Sequence, residues 1–418
     1  MLKVFPFRAI RPRPELAEQV AALPYDVMNT AEAREMVKDN PVSFLRIDRA
    51  EINLPEDVDP HDDSVYLTAS ELYKARKADG TFIQDEMPCY YLYRLTMGGR
   101  SQTGIVCCPS AEDYRNGLIK KHELTRADKE EDRVRHIDAL DANTGPIFLA
   151  HRSAPRLEAL TDGWARSHEA LYGFDGPGGV RHEAWIVDDP DTIDVITQIF
   201  AEMDSLYIAD GHHRCASAAR VSAMRRDKNP GHDGSEEYER FLAVVFPEGQ
   251  LRILDYNRIV SDLGGISTEG FLQGLGTEWT VTEESSPVRP VKSHEFGLCL
   301  AVGDGDVYWY RLNYTGAIPD DDPVACLDVS ILQDKLLDPV LGIKDLRLDK
   351  RIDFVGGIRG IEELEKRVKR DMAAAFALYP TRMEELIAIA DAGEIMPPKS
   401  TWFEPKLLSG LFIHELDV

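Results

Sequence analysis

Apolar positions along the chain recur at two spacings, every second residue in short runs and every third or fourth in longer ones, which separates strands from helices. Residues 4–10 read as a short strand and 14–23 as a helix. The helix gives way to an extended turn at Pro24-Tyr25-Asp26-Val27, because proline disfavours helix in the residue before it. The pattern then predicts a helix over 31–38, a strand over 40–47, an acidic, proline-containing exposed loop over 48–63 and a helix over 65–77. Residues 90–96 and 101–108 read as a hairpin across Met97-Gly98-Gly99-Arg100, two β-rich runs separated by glycines that permit positive φ.

From Lys120 to His136 both charge signs are dense, and a long helix is predicted to run from there toward Ala142; a solvated face accounts for such a run without any function. A turn and strand follow over 145–150, a helix over 154–171, a Gly/Pro loop over 173–179, a strand over 182–188 and a helix over 191–203. Leu206-Tyr207-Ile208-Ala209 is a short apolar strand, Asp210 to Arg214 a turn, and 215–226 an Ala-rich helix, with another strand over 241–246. Beyond lie Asn257-Arg258-Ile259-Val260, an α/β stretch to Asn313, a helix over 329–337, a strand over 352–355, a helix over 382–392 and the polar turn Pro397-Pro398-Lys399-Ser400-Thr401. No internal repeat is visible.

At 418 residues, 43% hydrophobic and 29% charged, the chain can bury a sizeable core in two or three domains. Its 48 Lys and Arg against 73 Asp and Glu leave a net charge of -25, which argues against a nucleic-acid partner. No run approaches the roughly 18–20 apolar residues of a membrane helix, and the start lacks the apolar core of a signal peptide, so a cytoplasmic protein with no membrane partner is expected. Six cysteines without a CxxC pair suggest neither a disulfide framework nor a zinc knuckle.

The order of strand, glycine turn and helix around Asp210-Gly211-His212-His213-Arg214 carries the chemistry. Glycine lets the backbone approach a ligand, and the helix start offers unpaired N–H groups and partial positive charge to an anion. Two imidazoles and a guanidinium add donors, the last in a bidentate fork. Asp210 could orient a histidine, cap the helix or help hold a metal. A metal hydrolase would need further ligands, and the other histidines form no HExxH or Cys/His array.

This stretch resembles the Asp-Gly-His-His-Arg box of the ParB/sulfiredoxin-like fold, most closely that of its free-serine kinases. Lys120-Lys121-His122-Glu123 resembles the His-Glu box of those kinases, and residues 379–401, ending Lys399-Ser400-Thr401, resemble their terminal segment, in the same order along the chain. The N-terminal region is similar to that of a large, mainly bacterial family sharing the His-His-Arg box. The resemblance implies that Gly211, His212, His213 and Arg214, with Asp210, hold nucleotide phosphates, ADP or ATP with magnesium. It implies that Glu123 acts as the base on the substrate hydroxyl, beside Asp210 and His212, and that His122, Lys399 and Thr401 contact the amino-acid substrate. Trp402-Phe403 stands where those kinases place a basic residue and a histidine, so the acceptor is serine or a similar small hydroxy-amino acid.

The expectation is an α/β (α+β) fold with a ParB/sulfiredoxin-like nucleotide-binding core over 111–250, an N-terminal elaboration over 1–110 and a C-terminal α/β lobe over 251–418 that contributes to the substrate pocket. The alternative to a kinase is a non-catalytic nucleotide-binding regulatory module. A sulfiredoxin-type activity would want a cysteine in place of His212 or His213, and Cys215 lies outside the loop. Oligomeric state leaves no mark in the sequence.

Overall fold

The hairpin predicted at Gly98-Gly99 forms. Tyr90–Met97 pairs antiparallel with Arg100–Pro109, from Tyr91 opposite Val106 to Met97 opposite Arg100, and both glycines take positive φ, 58° and 77°, as a two-residue primed turn requires. In the computed structural model, which describes residues 1–303, 305–319 and 321–417, the chain forms two units: Met1–Leu251 with Pro405–Val418, and Arg252–Glu404.

In the first unit the hairpin is part of a nine-stranded mixed sheet. Its order runs Ile119–Lys120, Leu206–Asp210, Ile147–His151, Ala243–Pro247, Arg100–Pro109, Tyr90–Met97, Val180–Val187 and Tyr172–Gly176, with Val4–Phe5 also paired to Arg100–Pro109. Residues from both 1–110 and 111–250 thus share one sheet, because the apolar strand at 100–109 finds its partner at 243–247 rather than within its own region. The closing segment returns to this unit. His414 pairs with Asn143, and the Ile413 N–H donates to the Ile10 carbonyl at 2.8 Å.

The core on one face of the sheet gathers Leu149, Ile208, Val245 and Phe200 with the small buried face of the His212–Lys228 helix, Cys215, Ala218 and Ala219. Small side chains there let the Ala127–Leu140 helix approach closely enough for the Ser217 hydroxyl to donate to the Glu130 carbonyl at 3.0 Å. The second unit is a six-stranded antiparallel sheet in the order 279–284, 306–314, 295–302, 374–377, 256–260, 352–356. Alternate residues of its strands serve two cores, Val260 and Phe376 on one side, Ile259 and Ala375 on the other, the second closed by the Ile361–Arg370 helix. The protein is an α/β (α+β) fold. Among the described residues no helix is long and apolar enough to cross a membrane.

Several local expectations are corrected. Residues 40–47 are not a strand: Phe44, Leu45 and Ile47 are all buried, a spacing one strand face cannot accommodate, and Leu45–Asp48 is a helical turn. Residues 14–23 give only the short helical pieces Pro14–Leu16 and Ala17–Val20. The Gly-rich stretch at 173–179 is largely strand, Tyr172–Gly176, because Tyr172 and Phe174 alternate inward against Val180–Val187. The charged run from Lys120 enters its helix only at Ala127.

Candidate functional site

Leu206–Asp210 is a buried strand with parallel Ile119–Lys120 on one side and antiparallel Ile147–His151 on the other. Its register against Ile147–His151 slips between Ile208 and Asp210, a bulge that re-aims Asp210 as the strand ends. Gly211 follows with φ 90° and starts the His212–Lys228 helix, three residues earlier than the sequence suggested and with no side-chain cap. A Cβ at 211 would lie 3.0 Å from the Arg214 Nε, so glycine is what lets this guanidinium fold back over the turn. The uncapped first turn offers N–H groups and positive dipole to an anion, so the residues present fit a phosphate group.

Asp210 does not cap the helix. One carboxylate oxygen accepts the Gly211 N–H at 2.8 Å and the other pairs with the Lys406 Nζ at 3.1 Å. Burial pushes this carboxyl up, but the charges of Lys406 and Arg214 outweigh burial and hold it well below the usual carboxylate range. Arg214 donates through Nη1 to the Pro146 carbonyl at 2.5 Å and has no ion pair of its own among the described residues.

His122 and Glu123 sit in the connection between the Ile119–Lys120 strand and the Ala127–Leu140 helix, not on the helix. The parallel pairing of Ile119 with Leu206 sends the next residues across the start of the His212 helix. His122 is buried and packs edge-on against His212, ring centroids 4.4 Å apart, and its backbone N–H donates to the His212 Nε2 at 3.4 Å. With Nε2 accepting, the His212 proton is assigned to Nδ1, which lies 3.6 Å from a Glu123 carboxylate oxygen. Glu123 is itself part-exposed, 42% for the side chain. Burial, then the neighbouring His122, holds His212 neutral, well below the ordinary histidine range. Burial likewise lowers His122 to about 4; neither of its ring nitrogens finds a hydrogen-bond partner of good geometry, though the Ile208 backbone lies alongside. His213 accepts the Arg126 backbone N–H at 3.0 Å through Nε2, and burial lowers it too. The fold therefore joins Glu123, Asp210, Gly211, His212, His213 and Arg214 within one neighbourhood, while His122 backs His212 as a buried ring.

Lys399 and Thr401 belong to the second unit. Lys399 is exposed and takes a positive φ of 61°, sparsely populated for a residue with a Cβ, and its Nζ lies 5.6 Å from the Tyr256 ring centre. The turn is pinned by the Ser400 hydroxyl donating to the Pro397 carbonyl at 2.6 Å and the Thr381 hydroxyl to the Ser400 carbonyl at 2.9 Å. The fully buried Arg258 reaches the Pro398 carbonyl at 3.5 Å. Burial drops its guanidinium to about 10.

Two residues near these sites carried no usable signal in the sequence. Lys406, in the Pro405–Val418 return, is one lysine among many until the fold sets it on Asp210. Arg258 reads as a polar residue inside a strand, and only its burial marks it. Among the described residues no cluster of three or more His, Cys, Asp or Glu is set to hold a metal ion.

No curated protein matches the chain. Similar solved structures include a free serine kinase in complex with AMP, at 14% identity, covering 72% of this chain and 86% of that one, TM-score 0.35. SbnI with a C-terminal truncation, from Staphylococcus aureus, is likewise 14% identical over 72% and 85%, TM-score 0.37. A conserved hypothetical protein from Pyrococcus furiosus is 15% identical over 72% and 90%, TM-score 0.31. At these TM-scores the likeness carries no functional argument, and the residues have to carry it. Residues 4–330 match the family described as "Protein of unknown function (DUF1015)", and the chain belongs to that family.

Proposed function

We propose that the protein is a nucleotide-dependent phosphotransferase, with ADP or ATP as donor, acting on the hydroxyl of free L-serine or a similar small hydroxy-amino acid within a ParB/sulfiredoxin-like core. The observation that carries this reading is the convergence of a part-exposed carboxylate, Glu123, on a neutral His212 in the first turn of an uncapped helix. A base and an anion cradle side by side are what phosphoryl transfer asks of a protein, since that chemistry is mostly positioning and charge stabilisation.

On this reading the bound nucleotide supplies the phosphoryl group, held by the backbone N–H groups at Gly211 to Arg214 with the Arg214 guanidinium. Glu123 accepts the proton of the acceptor hydroxyl, and His212, its Nδ1 toward that carboxylate, holds it in place. The Asp210–Lys406 pair fixes the charge at the root of the loop. Magnesium has no ligand cluster among the described residues and is given no step.

Phosphorus NMR of the protein with magnesium, ADP or ATP, and a panel of free hydroxy-amino acids tests the reading. O-phosphoserine formed by the wild type and lost in Glu123→Gln is expected. Nucleotide binding with no phosphorylated product would point instead to the regulatory module.

A further inference from the structure

A guanidinium that is to meet a phosphate has to be aimed as well as present. Arg214 is anchored by the Pro146 carbonyl, which takes one Nη1 N–H at 2.5 Å, and its charge helps keep Asp210 ionised. It also lines a cavity of about 30 Å³, close to the volume of one water, wholly within the first unit. Tyr25, from the Pro24-Tyr25-Asp26-Val27 turn of the N-terminal region, lines the same cavity, beside Asp48, Thr144 and Ser409.

Tyr25 is held more firmly than a surface turn requires. Arg49 donates through Nη1 to the Tyr25 carbonyl at 2.9 Å and to the Met28 carbonyl at 2.6 Å, and is itself paired with Glu51 at 2.8 Å. The buried Arg133 guanidinium lies over the Tyr25 ring, 4.0 Å from its centre, and is neutralised by Asp132, which takes its Nη2 at 2.8 Å and Nε at 2.9 Å. Two arginines, each with its own carboxylate, thus fix one side chain. Its hydroxyl has no hydrogen-bond partner among the described residues. Burial pushes that hydroxyl up to about 12, against the opposing charges of Arg133 and then Arg214, so it stays protonated at neutral pH. A phenolate there would pair with Arg214 and compete with a phosphate, whereas a neutral hydroxyl offers the guanidinium an acceptor without taking its charge. The next residue, Asp26, is the charge that most opposes the lowering of His213 by burial, which sets this turn beside the start of the His212–Lys228 helix.

We propose that the Tyr25 hydroxyl is a positioning group of the phosphate site, orienting the Arg214 guanidinium toward a bound nucleotide through one water in the shared cavity, so that the N-terminal region supplies part of the site. This rests on the phosphotransferase reading, which sets a phosphate on Arg214.

Calorimetric titration of the full chain with ADP and with ATP tests it, on the wild type, Tyr25→Phe, Arg214→Lys and the double variant. Phenylalanine keeps the ring under Arg133, so the melting temperature should hardly move, while the affinity for the nucleotide should fall about fivefold. In the Arg214→Lys chain the same change should cost nothing further, because a lysine has no planar fork to orient. Wild-type affinity in Tyr25→Phe would overturn the proposal. An equal fivefold loss with and without Arg214 would overturn it too, since the hydroxyl would then act on something else. If Tyr25→Phe does not fold, Tyr25→Met removes the same hydroxyl and should show the same loss. No binding of either nucleotide to the wild type would remove the phosphotransferase reading and this role with it, whereas nucleotide binding indifferent to Tyr25 removes this role alone.

Discussion

At Gly211 a φ of 90° and an added Cβ 3.0 Å from the Arg214 Nε act together. Gly211→Ala should destabilise by about 1–3 kcal/mol in urea denaturation and displace the guanidinium, weakening ADP binding in titration. Lys406 lies 3.1 Å from Asp210, with its side chain 14% exposed. Truncating it leaves a part-buried carboxylate without its counter-charge. Lys406→Met should therefore cost on the order of 1–3 kcal/mol, and Asp210→Asn in the same chain should recover part of that loss, a coupling a double-mutant cycle measures. Glu123→Gln keeps the size of the side chain and removes the base. Transfer to serine should disappear, nucleotide affinity should stay within a few-fold, and stability should hardly change because the side chain is part-exposed. Retained turnover would remove Glu123 from the mechanism.

The elements that place these residues were legible to different degrees. The Gly98-Gly99 hairpin, the strand before Asp210 and the helix after it followed from period and turn chemistry, which are local. The connection carrying His122 and Glu123 did not, because a charged run fits a helix and a loop equally well, and only the parallel pairing of Ile119 with Leu206 decides between them. Strand contacts also make a prediction at Gly104. A Cβ there would meet the Val244 Cγ1 at 2.7 Å and the Phe246 ring at 2.9 Å, both on the neighbouring Ala243–Pro247 strand. Gly104→Ala should cost about 1–3 kcal/mol by overpacking, seen as a lower melting temperature, whereas alanine at half-buried Gly163, where an added Cβ has nothing within 4 Å, should not lower it.

For the molecule as a whole, buried histidines set the response to acid. His122, His136 and His182 are each lowered by burial from 6.5 to about 4. Above about pH 6.5 they are neutral in both folded and unfolded chains and carry no penalty. Below it the unfolded chain takes up protons the folded chain refuses, so stability falls as pH drops from 6.5 toward 4, by up to about 1.4 kcal/mol per pH unit for each histidine. Denaturation at pH 7, 6 and 5 should show this fall, and His182→Gln should make it shallower by about one proton; an unchanged slope would remove His182 from the account. The Asp132 carboxyl, which Arg133 holds down at about 2 against the effect of burial, titrates below this window. By itself the sequence determined the α/β class, the strand-turn-helix at Asp210 to Arg214 and the glycine its turn needs, because periodicity, turn chemistry and helix-end electrostatics act over a few residues. Only the tertiary structure decided that Lys406 meets Asp210, that Glu123 meets His212, and that Asp48 and Arg214 face one cavity. Those meetings join positions far apart in the chain, and which of many equivalent charges come together is settled by strand order and burial, not by any local pattern.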